Sequence, residues 1–291
     1  MTERLVYVDG HHVSEGEATI SAFDSGFHYA DGCFESIRVY NRRVFRFDDH
    51  LDRLYAGVKI LRLPLVLGRS ELVEAIVRWL KANEVIDGFH FKIMVTRGPR
   101  RPPRLDFRFA PGPATVVMTG NDLHGPARGT LRLASVATRR PAADALDPRL
   151  KTMSWGANVQ ARLEANDHGA DDALMLDANG FTAASCAANV FAVRQGRLLT
   201  PYPRACLRGI TRQTVIELAA DLGLPAAEAD LSTADLKAAD EVFLTGTSSE
   251  LIPVGSIDGC QIGEGDGPGP WMARLLAAYR ELANGSGEVL L

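Results

Sequence analysis

The sequence predicts an α+β protein of two domains, with a small N-terminal domain and a larger C-terminal domain rich in β-hairpins. The chain has 291 residues, which is about two domains at the usual size of roughly 150 residues each. Helical and strand-like patterns are mixed before residue 120, whereas short strands separated by turn dipeptides dominate after residue 130. A polar stretch rich in Gly and Pro at 121–130 separates the two patterns, and it is predicted to be the interdomain connection.

In the first domain, 1–120, two helices are predicted between strands. Asp48 is expected to cap the first helix and Ser70 the second, since short polar side chains accept hydrogen bonds from the free N–H groups at helix starts. Apolar residues recur at helical spacing behind each cap. Strands are predicted at 38–40, 44–46 and 89–96, and an arginine-rich loop is predicted at 98–103.

The second domain, 131–291, is predicted to alternate short strands with three helices. The Asn179-Gly180 and Gln195-Gly196 dipeptides are typical of tight hairpin turns. Gly169 is expected to end the first of these helices. The predicted strands are 131–138, 173–176, 189–193, 197–200 and 241–244, and the predicted helices are 157–168, 211–222 and 271–283.

Composition excludes several classes of protein. The formal net charge is −4, so there is no basic excess to neutralise nucleic-acid phosphates. No apolar run approaches the ~18 residues of a membrane span, and the opening residues lack the pattern of a signal peptide. The four cysteines show no CxxC pairing or metal-ligand spacing. They are expected to be free thiols of a cytoplasmic protein without a metal site.

Three segments have the features of an anion-binding site. The stretch 209–211 opens a helix, where unpaired N–H groups attract phosphate. The stretch 245–249 supplies hydroxyls directly after a strand, and Arg53 could bind a phosphate through two donors. Each feature also has an ordinary explanation, since glycine before a helix is usually a turn and a helical arginine is usually solvated.

Lys151 is a candidate nucleophile. It lies in a loop with Pro148 and between apolar neighbours that include Met153 and Trp155, which suggests that the segment turns inward. Burial lowers the pKa of a lysine and makes its amine usable for covalent chemistry. A surface lysine in a loop is the ordinary alternative.

Seven segments together resemble the class IV (fold type IV) pyridoxal-phosphate enzymes. This family includes branched-chain aminotransferases, D-amino-acid transaminases, (R)-selective amine transaminases and aminodeoxychorismate lyases. The resemblance runs almost end to end and follows the family's order. The segments are DSGFHYADGCFESIRVY (24–40), HLDRLYAG (50–57), VTRG (95–98), LKTMSWGANVQARLEANDHGADDALMLDANG (150–180), CAANVFAV (186–193), LRGITRQTVIELA (207–219) and DEVFLTGTSSELIPV (240–254).

The resemblance implies a role for each candidate residue. Lys151 would form the Schiff base with pyridoxal 5'-phosphate and move the proton between the substrate Cα and the cofactor. Phe34 would line the substrate pocket, and one of several arginines would bind the substrate carboxylate. The implied cofactor-binding residues are Arg53, Lys151, Ile210, Thr211, Thr247 and Ser248, and the candidate arginines are Arg97, Arg100, Arg101 and Arg104.

One position departs from the family pattern. A glutamate of the family pairs with the pyridine nitrogen of the cofactor, and alignment on Asn189-Val190-Phe191 places Ala184 there. The glutamate keeps that nitrogen protonated, so its loss weakens the ring as an acceptor of electrons. A water or a nearby hydroxyl, from Ser185 or Thr182, is the candidate replacement.

Three functions are therefore open. The first is a transaminase that moves an amino group between an amino acid or small primary amine and a 2-oxo acid. The second is an aminodeoxychorismate-type lyase that releases pyruvate by β-elimination, and the third is a pyridoxal-phosphate-binding protein with little catalysis. The resemblance also implies a homodimer, with the cofactor between the two domains, and no nucleic-acid or membrane partner.

Overall fold

The computed structural model describes residues 4–106, 108, 112–123, 129–264 and 267–289. These residues form two compact units. The first comprises Met1–His124, Leu150–Ser154 and Ala283–Leu291, and the second comprises Gly125–Arg149 and Trp155–Leu282. The short segment 150–154, which contains the candidate lysine, therefore belongs to the same unit as the N-terminal strands.

Helices and strands alternate along the described chain. The helices are α1 (Ser25–Tyr29), α2 (Phe47–Ile60), α3 (Arg69–Ala82), α4 (Gly156–Asp167), α5 (Ile210–Asp221), α6 (Thr233–Lys237) and α7 (Pro270–Gly285), with a 3-10 turn at Glu15–Glu17. The strands are β1 (Val6–Val8), β2 (His11–Val13), β3 (Gly32–Tyr40), β4 (Arg43–Val44), β5 (Phe89–Thr96), β6 (Thr115–Asp122), β7 (Leu131–Ser135), β8 (Asp172–Leu176), β9 (Thr182–Ala184), β10 (Asn189–Arg194), β11 (Arg197–Pro201), β12 (Ala226–Ala229), β13 (Glu241–Gly246), β14 (Glu250–Ile257), β15 (Cys260–Gln261) and β16 (Glu288–Val289).

The first unit is built on an antiparallel sheet with the strand order β16-β4-β3-β5-β6-β1-β2. Helices α2 and α3 contribute their buried apolar residues to one core with this sheet. Trp79 of α3 is fully buried, and its ring centroid lies 5.9 Å from those of Phe89 and Phe91 on β5. Burial of such large aromatic surfaces makes this cluster a major source of stability in the first unit.

The two predicted helix caps are each wrong by two residues. Helix α2 begins at Phe47 after Arg46, so Asp48 lies inside its first turn, where a negative charge still favours the helix dipole. Helix α3 begins at Arg69 after Gly68, and the Glu71 carboxylate accepts a hydrogen bond from the Gly68 N–H at 2.7 Å. This return contact helps to fix the start of the helix, but it is not the side-chain cap that Ser70 was expected to supply.

The second unit contains a mixed sheet with the order β12-β11-β10-β13-β14-β7-β8-β9, and β15 pairs with β14. Phe191 and Phe243 stack in its interior with centroids 5.3 Å apart and planes 6° apart. The predicted hairpin of 189–193 with 197–200 is present as β10–β11. The Asn179-Gly180 turn was expected to join 173–176 to 189–193, but it joins β8 to β9, a strand that was not predicted. Three consecutive small residues hide the alternation that identifies a strand.

The ends of the predicted connection 121–130 differ in structure. Asn121 and Asp122 belong to β6, while residues 124–128 lie outside the described part of the chain. The boundaries 1–120 and 131–291 therefore remain a prediction. No helix in the described residues is both long enough and apolar enough to cross a membrane, and all four cysteines are free thiols.

Candidate active site

The segment that carries Lys151 pairs with the start of β3. The Phe34 N–H donates to the Lys151 carbonyl at 3.0 Å, and the Met153 N–H donates to the Gly32 carbonyl at 3.0 Å. A Cβ at Gly32 would lie 2.5 Å from the Val95 carbonyl oxygen and 2.8 Å from the Met153 sulfur. Glycine is therefore required for this close approach, which fixes the position of the lysine.

The Lys151 amine lies in an enclosed, weakly solvated position. The residue as a whole is half-buried, and its Nζ is 4.5 Å from the centroid of the Phe34 ring. Burial lowers the pKa of Lys151 to about 8, with Glu35 opposing the shift and Arg53 and Lys92 adding to it. The inward turn of this segment therefore increases the fraction of the amine that is neutral and nucleophilic at physiological pH.

Arg53 projects from α2 toward β3 and is held by a buried carboxylate. Its Nε and Nη2 lie 2.6 Å and 2.8 Å from the two oxygens of Glu35. His50, one turn earlier on α2, places Nδ1 2.7 Å from the same carboxylate. Burial alone would raise the pKa of Glu35, but Arg53 and His50 lower it to about 2. Glu35 therefore stays ionised and fixes the plane of the guanidinium.

Sequence reasoning missed Glu35 and His50. Both stand inside segments that carried the resemblance, at 24–40 and 50–57, but neither was given a role. Buried charged residues at one-turn spacing to Arg53 are the signal that could have found His50. Glu35 lies on a strand, and its partners on α2 become visible only once β3 packs against that helix.

Two of the four candidate arginines share one aspartate. Arg97 Nε lies 2.7 Å from the Asp31 carboxylate, and Arg100 Nη2 also binds it. Arg97 further donates to the carbonyls of Leu61 and Arg62 at 2.7 Å each. Arg101 is exposed and lies 4.1 Å from the Phe23 ring, while the Arg104 carbonyl accepts from Arg100. Both guanidinium groups thus bind the same carboxylate.

In the second unit, helix α5 begins without a side-chain cap for its first N–H groups. Its cap residue Gly209 makes no side-chain cap hydrogen bond, so the first N–H groups of the helix, including those of Ile210 and Thr211, are available to an anion. Asn189 supports this helix start, since its Nδ2 donates to the Leu207 carbonyl at 2.9 Å. A Cβ at Gly209 would lie 2.1 Å from the Asn189 Oδ1, so only glycine fits here.

The turn that carries Thr247 and Ser248 is brought close to the same strand. Asn189 pairs with Thr245 in the register of β10 against β13, and Gly246 lies 3.9 Å, measured from an ideal Cβ, from Ala188. Thr247 is half-buried and Ser248 is exposed. The second unit thus places the hydroxyl-rich turn and the start of α5 at the same end of β10.

Ala184 is buried on β9, and its two candidate replacements differ. The Ser185 Oγ accepts hydrogen bonds from the N–H groups of Ala187 at 3.4 Å and Ala188 at 3.1 Å. The Thr182 Oγ1 is buried and has no hydrogen-bond partner among the described residues. Thr182 pairs with Leu176 and Ala184 pairs with Met175, with a register shift between the two pairs, so β9 carries one extra residue here.

The pKa of Lys151 has a measurable consequence for covalent capture of an aldehyde. The neutral amine is the reactive form, so the rate at which the apoprotein captures pyridoxal phosphate is expected to rise with pH and to level off above about 8. An ordinary lysine would show its midpoint near 10.4. Stopped-flow absorbance over pH 6–10 measures this profile, and a midpoint near 10 would contradict the assigned environment.

A lysine amine kept partly neutral by burial is a feature of enzymes that work through a covalent amine. The comparisons with known proteins specify which. The family model described as "Amino-transferase class IV" matches residues 32–257, and the chain belongs to that family.

Individual relatives cover nearly the whole chain. Branched-chain-amino-acid aminotransferase-like protein 2 of Arabidopsis thaliana is 36% identical over 97% of this chain, which spans only 51% of that protein's length. The D-alanine aminotransferase of Listeria monocytogenes is 31% identical over 98% of both chains.

Solved structures agree in fold. The branched-chain aminotransferase of the archaeon Thermoproteus uzoniensis, solved with norvaline, is 31% identical, covers 99% of this chain and 97% of its own, and superposes with a TM-score of 0.88. The branched-chain amino acid aminotransferase of Thermobaculum terrenum in its PLP-form is 27% identical, covers 97% of this chain and 94% of its own, and gives a TM-score of 0.86. This agreement confirms the predicted α+β architecture of fold type IV.

Proposed function

We propose that this protein is a pyridoxal-phosphate-dependent transaminase that moves an amino group between an amino acid or small primary amine and a 2-oxo acid. The observation that carries the proposal is Lys151, held by β3 with a pKa lowered to about 8. Family membership and the PLP-form named for the Thermobaculum terrenum relative support the choice of cofactor.

The residues present fit this cofactor. Its phosphate needs cationic and N–H donors. We propose Arg53 of the first unit as the cationic donor, and the start of α5 at Ile210 and Thr211 in the second unit as the source of N–H donors. Thr247 and Ser248 would add hydroxyl donors. Its aldehyde needs a neutral amine, which the burial of Lys151 provides. When bound, the cofactor supplies an aromatic ring that accepts the electrons released at the substrate Cα.

Lys151 would carry out the proton transfer. Its amine would hold the cofactor covalently, and as a free amine it would take the proton from the substrate Cα as a general base. A pKa of about 8 suits both roles near neutral pH, since the amine is then neither fully protonated nor strongly basic. Phe34, whose ring lies against the amine, would limit water access on that side.

The substrate carboxylate would be attracted by the arginine cluster. Arg97 and Arg100 are both engaged with Asp31, so they are proposed to attract the carboxylate at a distance rather than to bind it directly. Arg101 and Arg104, which are exposed, are proposed as the groups that contact the carboxylate directly.

Single-turnover analysis tests the proposed function. The holoenzyme is incubated with L-leucine, D-alanine or a small primary amine, without an acceptor, and the released 2-oxo acid or carbonyl product is quantified. A transaminase is expected to release one equivalent per site, and added 2-oxo acid is expected to restore turnover. The absence of product with every donor would overturn the proposal.

The lyase remains a second candidate because Ala184 removes the group that supports transamination most directly. Catalytic release of pyruvate from aminodeoxychorismate, with no amino acceptor present, would favour it. Product formation limited to one equivalent per site would exclude it and retain the transaminase.

Homodimer formation and a cytoplasmic location are also proposed. The family resemblance supports the homodimer. The free thiols support the cytoplasmic location, because they fit a reducing compartment. Sedimentation equilibrium of the holoenzyme measures the first directly.

A further inference from the structure

With alanine in place of the family glutamate, position 184 of β9 provides no polar partner for the cofactor's ring nitrogen. Ala184 is 5% exposed and pairs with Met175 of β8, so its methyl group offers no hydrogen bond to a ring nitrogen. If the cofactor binds as proposed, some other group must face that nitrogen, because a buried acceptor without a donor is unfavourable. This inference rests on the proposed function.

Arg140 is tied to the neighbouring strand. Its N–H donates to the Leu176 carbonyl at 2.9 Å. Leu176 pairs with Thr182, and the preceding residue of β8, Met175, pairs with Ala184. The backbone of Arg140 is therefore one strand away from the position of the missing carboxylate.

The side chain of Arg140 extends along the same end of the unit. Its Nε donates to the Ala205 carbonyl at 3.1 Å, in the loop that leads to α5. Cys206 in that loop and Cys186, two residues after Ala184, are the titratable groups close enough to influence it. The guanidinium thus lies between the chain that follows β9 and the loop that precedes the predicted phosphate site.

Arg140 lacks a counter-charge. Within the described part of the chain, no carboxylate forms a salt bridge or hydrogen bond with it, unlike Arg53 with Glu35 or Arg212 with Glu228. Burial lowers the pKa of its guanidinium. A partly desolvated cation without a counter-charge is costly. Among the described residues the guanidinium has a carbonyl partner at Ala205 but no carboxylate, so a further acceptor would stabilise it.

The hydroxyls of Ser185 and Thr182 are weaker candidates for the group that faces the ring nitrogen. Ser185 already accepts two backbone N–H groups. Thr182 Oγ1 is a buried neutral hydroxyl without a partner among the described residues, and leaving it so is less costly than leaving a cation unpaired. Charge therefore favours Arg140 over Thr182 as the group that meets the ring nitrogen.

We propose that Arg140 replaces the missing glutamate and donates a hydrogen bond to the pyridine nitrogen of the cofactor. A guanidinium has donors and no acceptor, so it can bind only the unprotonated nitrogen. A carboxylate would do the opposite and hold the proton there. The chain would then use a ring that accepts electrons less strongly, which limits stabilisation of negative charge at the substrate Cα.

Nitrogen-15 NMR of the holoenzyme tests the proposal directly. Pyridoxal phosphate labelled at the ring nitrogen is bound to the wild type and to variants, and its chemical shift distinguishes the protonated from the unprotonated ring without any turnover. The wild type is expected to show the unprotonated signal throughout pH 6–9. Arg140→Met is expected to move the signal, and Ala184→Glu is expected to change it to the protonated form.

A control variant and a conservative variant accompany the test. Arg139, the adjacent and exposed arginine that donates to the Val136 carbonyl, gives Arg139→Met as a control that should leave the signal unchanged. Should Arg140→Met not fold, Arg140→Lys retains a donor and is expected to keep the nitrogen unprotonated but to move its shift.

The outcomes separate this inference from the proposed function. A protonated ring in the wild type, or a shift that moves in Thr182→Val but not in either Arg140 variant, would overturn the role of Arg140 alone. The absence of any protein-bound signal in the wild type would instead count against the proposed function, because the cofactor itself would not be held.

Discussion

Replacing Lys151 with alanine is expected to reduce amino-group transfer by about 10²–10⁴-fold or more, since one side chain supplies both the covalent attachment and the proton transfer. The short pairing of its segment with β3 involves backbone atoms of Gly32 and Phe34, which the substitution leaves intact. The fold should therefore persist, and the loss should be chemical in origin.

The measurement has two parts. Borohydride treatment of the holoenzyme followed by peptide mapping is expected to place the cofactor mass on Lys151 in the wild type and on no lysine in the variant. Lys92→Ala is the matched control, because Lys92 is an exposed lysine 5.9 Å from the same Phe34 ring. Retention of more than about a tenth of wild-type turnover in the Lys151 variant would show that the assignment is wrong.

Substituting Glu35 with glutamine is expected to lower the free energy of unfolding by about 3–5 kcal/mol, the usual effect of removing one partner from a buried ion pair. Glu35 is fully buried between Arg53 and His50, and glutamine would leave the guanidinium without its counter-charge. Because Glu35 raises the pKa of Lys151, the capture profile of the lysine should also move to lower pH.

Acid titration gives the sign of the same effect. The pKa of Glu35 is about 2 in the folded protein against an ordinary 4.5. The stability that ionised Glu35 contributes is therefore fully present above the pKa of Glu35 in the unfolded chain. It is lost as the pH falls toward and through the pKa of Glu35 in the folded protein. Denaturant unfolding between pH 7 and 3 should show a steeper loss in the wild type than in Glu35→Gln. The surface variant Glu74→Gln, which breaks an exposed pair with Arg78, should cost only ~0–1 kcal/mol, and an equal loss in both variants would contradict the buried network.

Sequence patterns identified much of the fold because the relevant information is local. Helical spacing and turn dipeptides located α4, α5 and α7 to within a few residues, and β5 was predicted at its observed bounds of Phe89–Thr96. Errors occurred where a cap depends on a contact outside the motif, as with Gly68 and Glu71, or where small residues mask alternation, as in β9.

By itself, the sequence determined the family and the presence of alanine at position 184, and it predicted Lys151 as the covalent lysine, since ordered segments and residue types are readable without coordinates. Only the tertiary structure decided which groups surround them. Glu35 meets Arg53 because β3 packs beside α2, Arg97 and Arg100 converge on Asp31, and Arg140 stands near β9 without a carboxylate from the described residues. The pKa of a residue depends on burial and on charges that are distant in sequence, and these are set only when the strands pair.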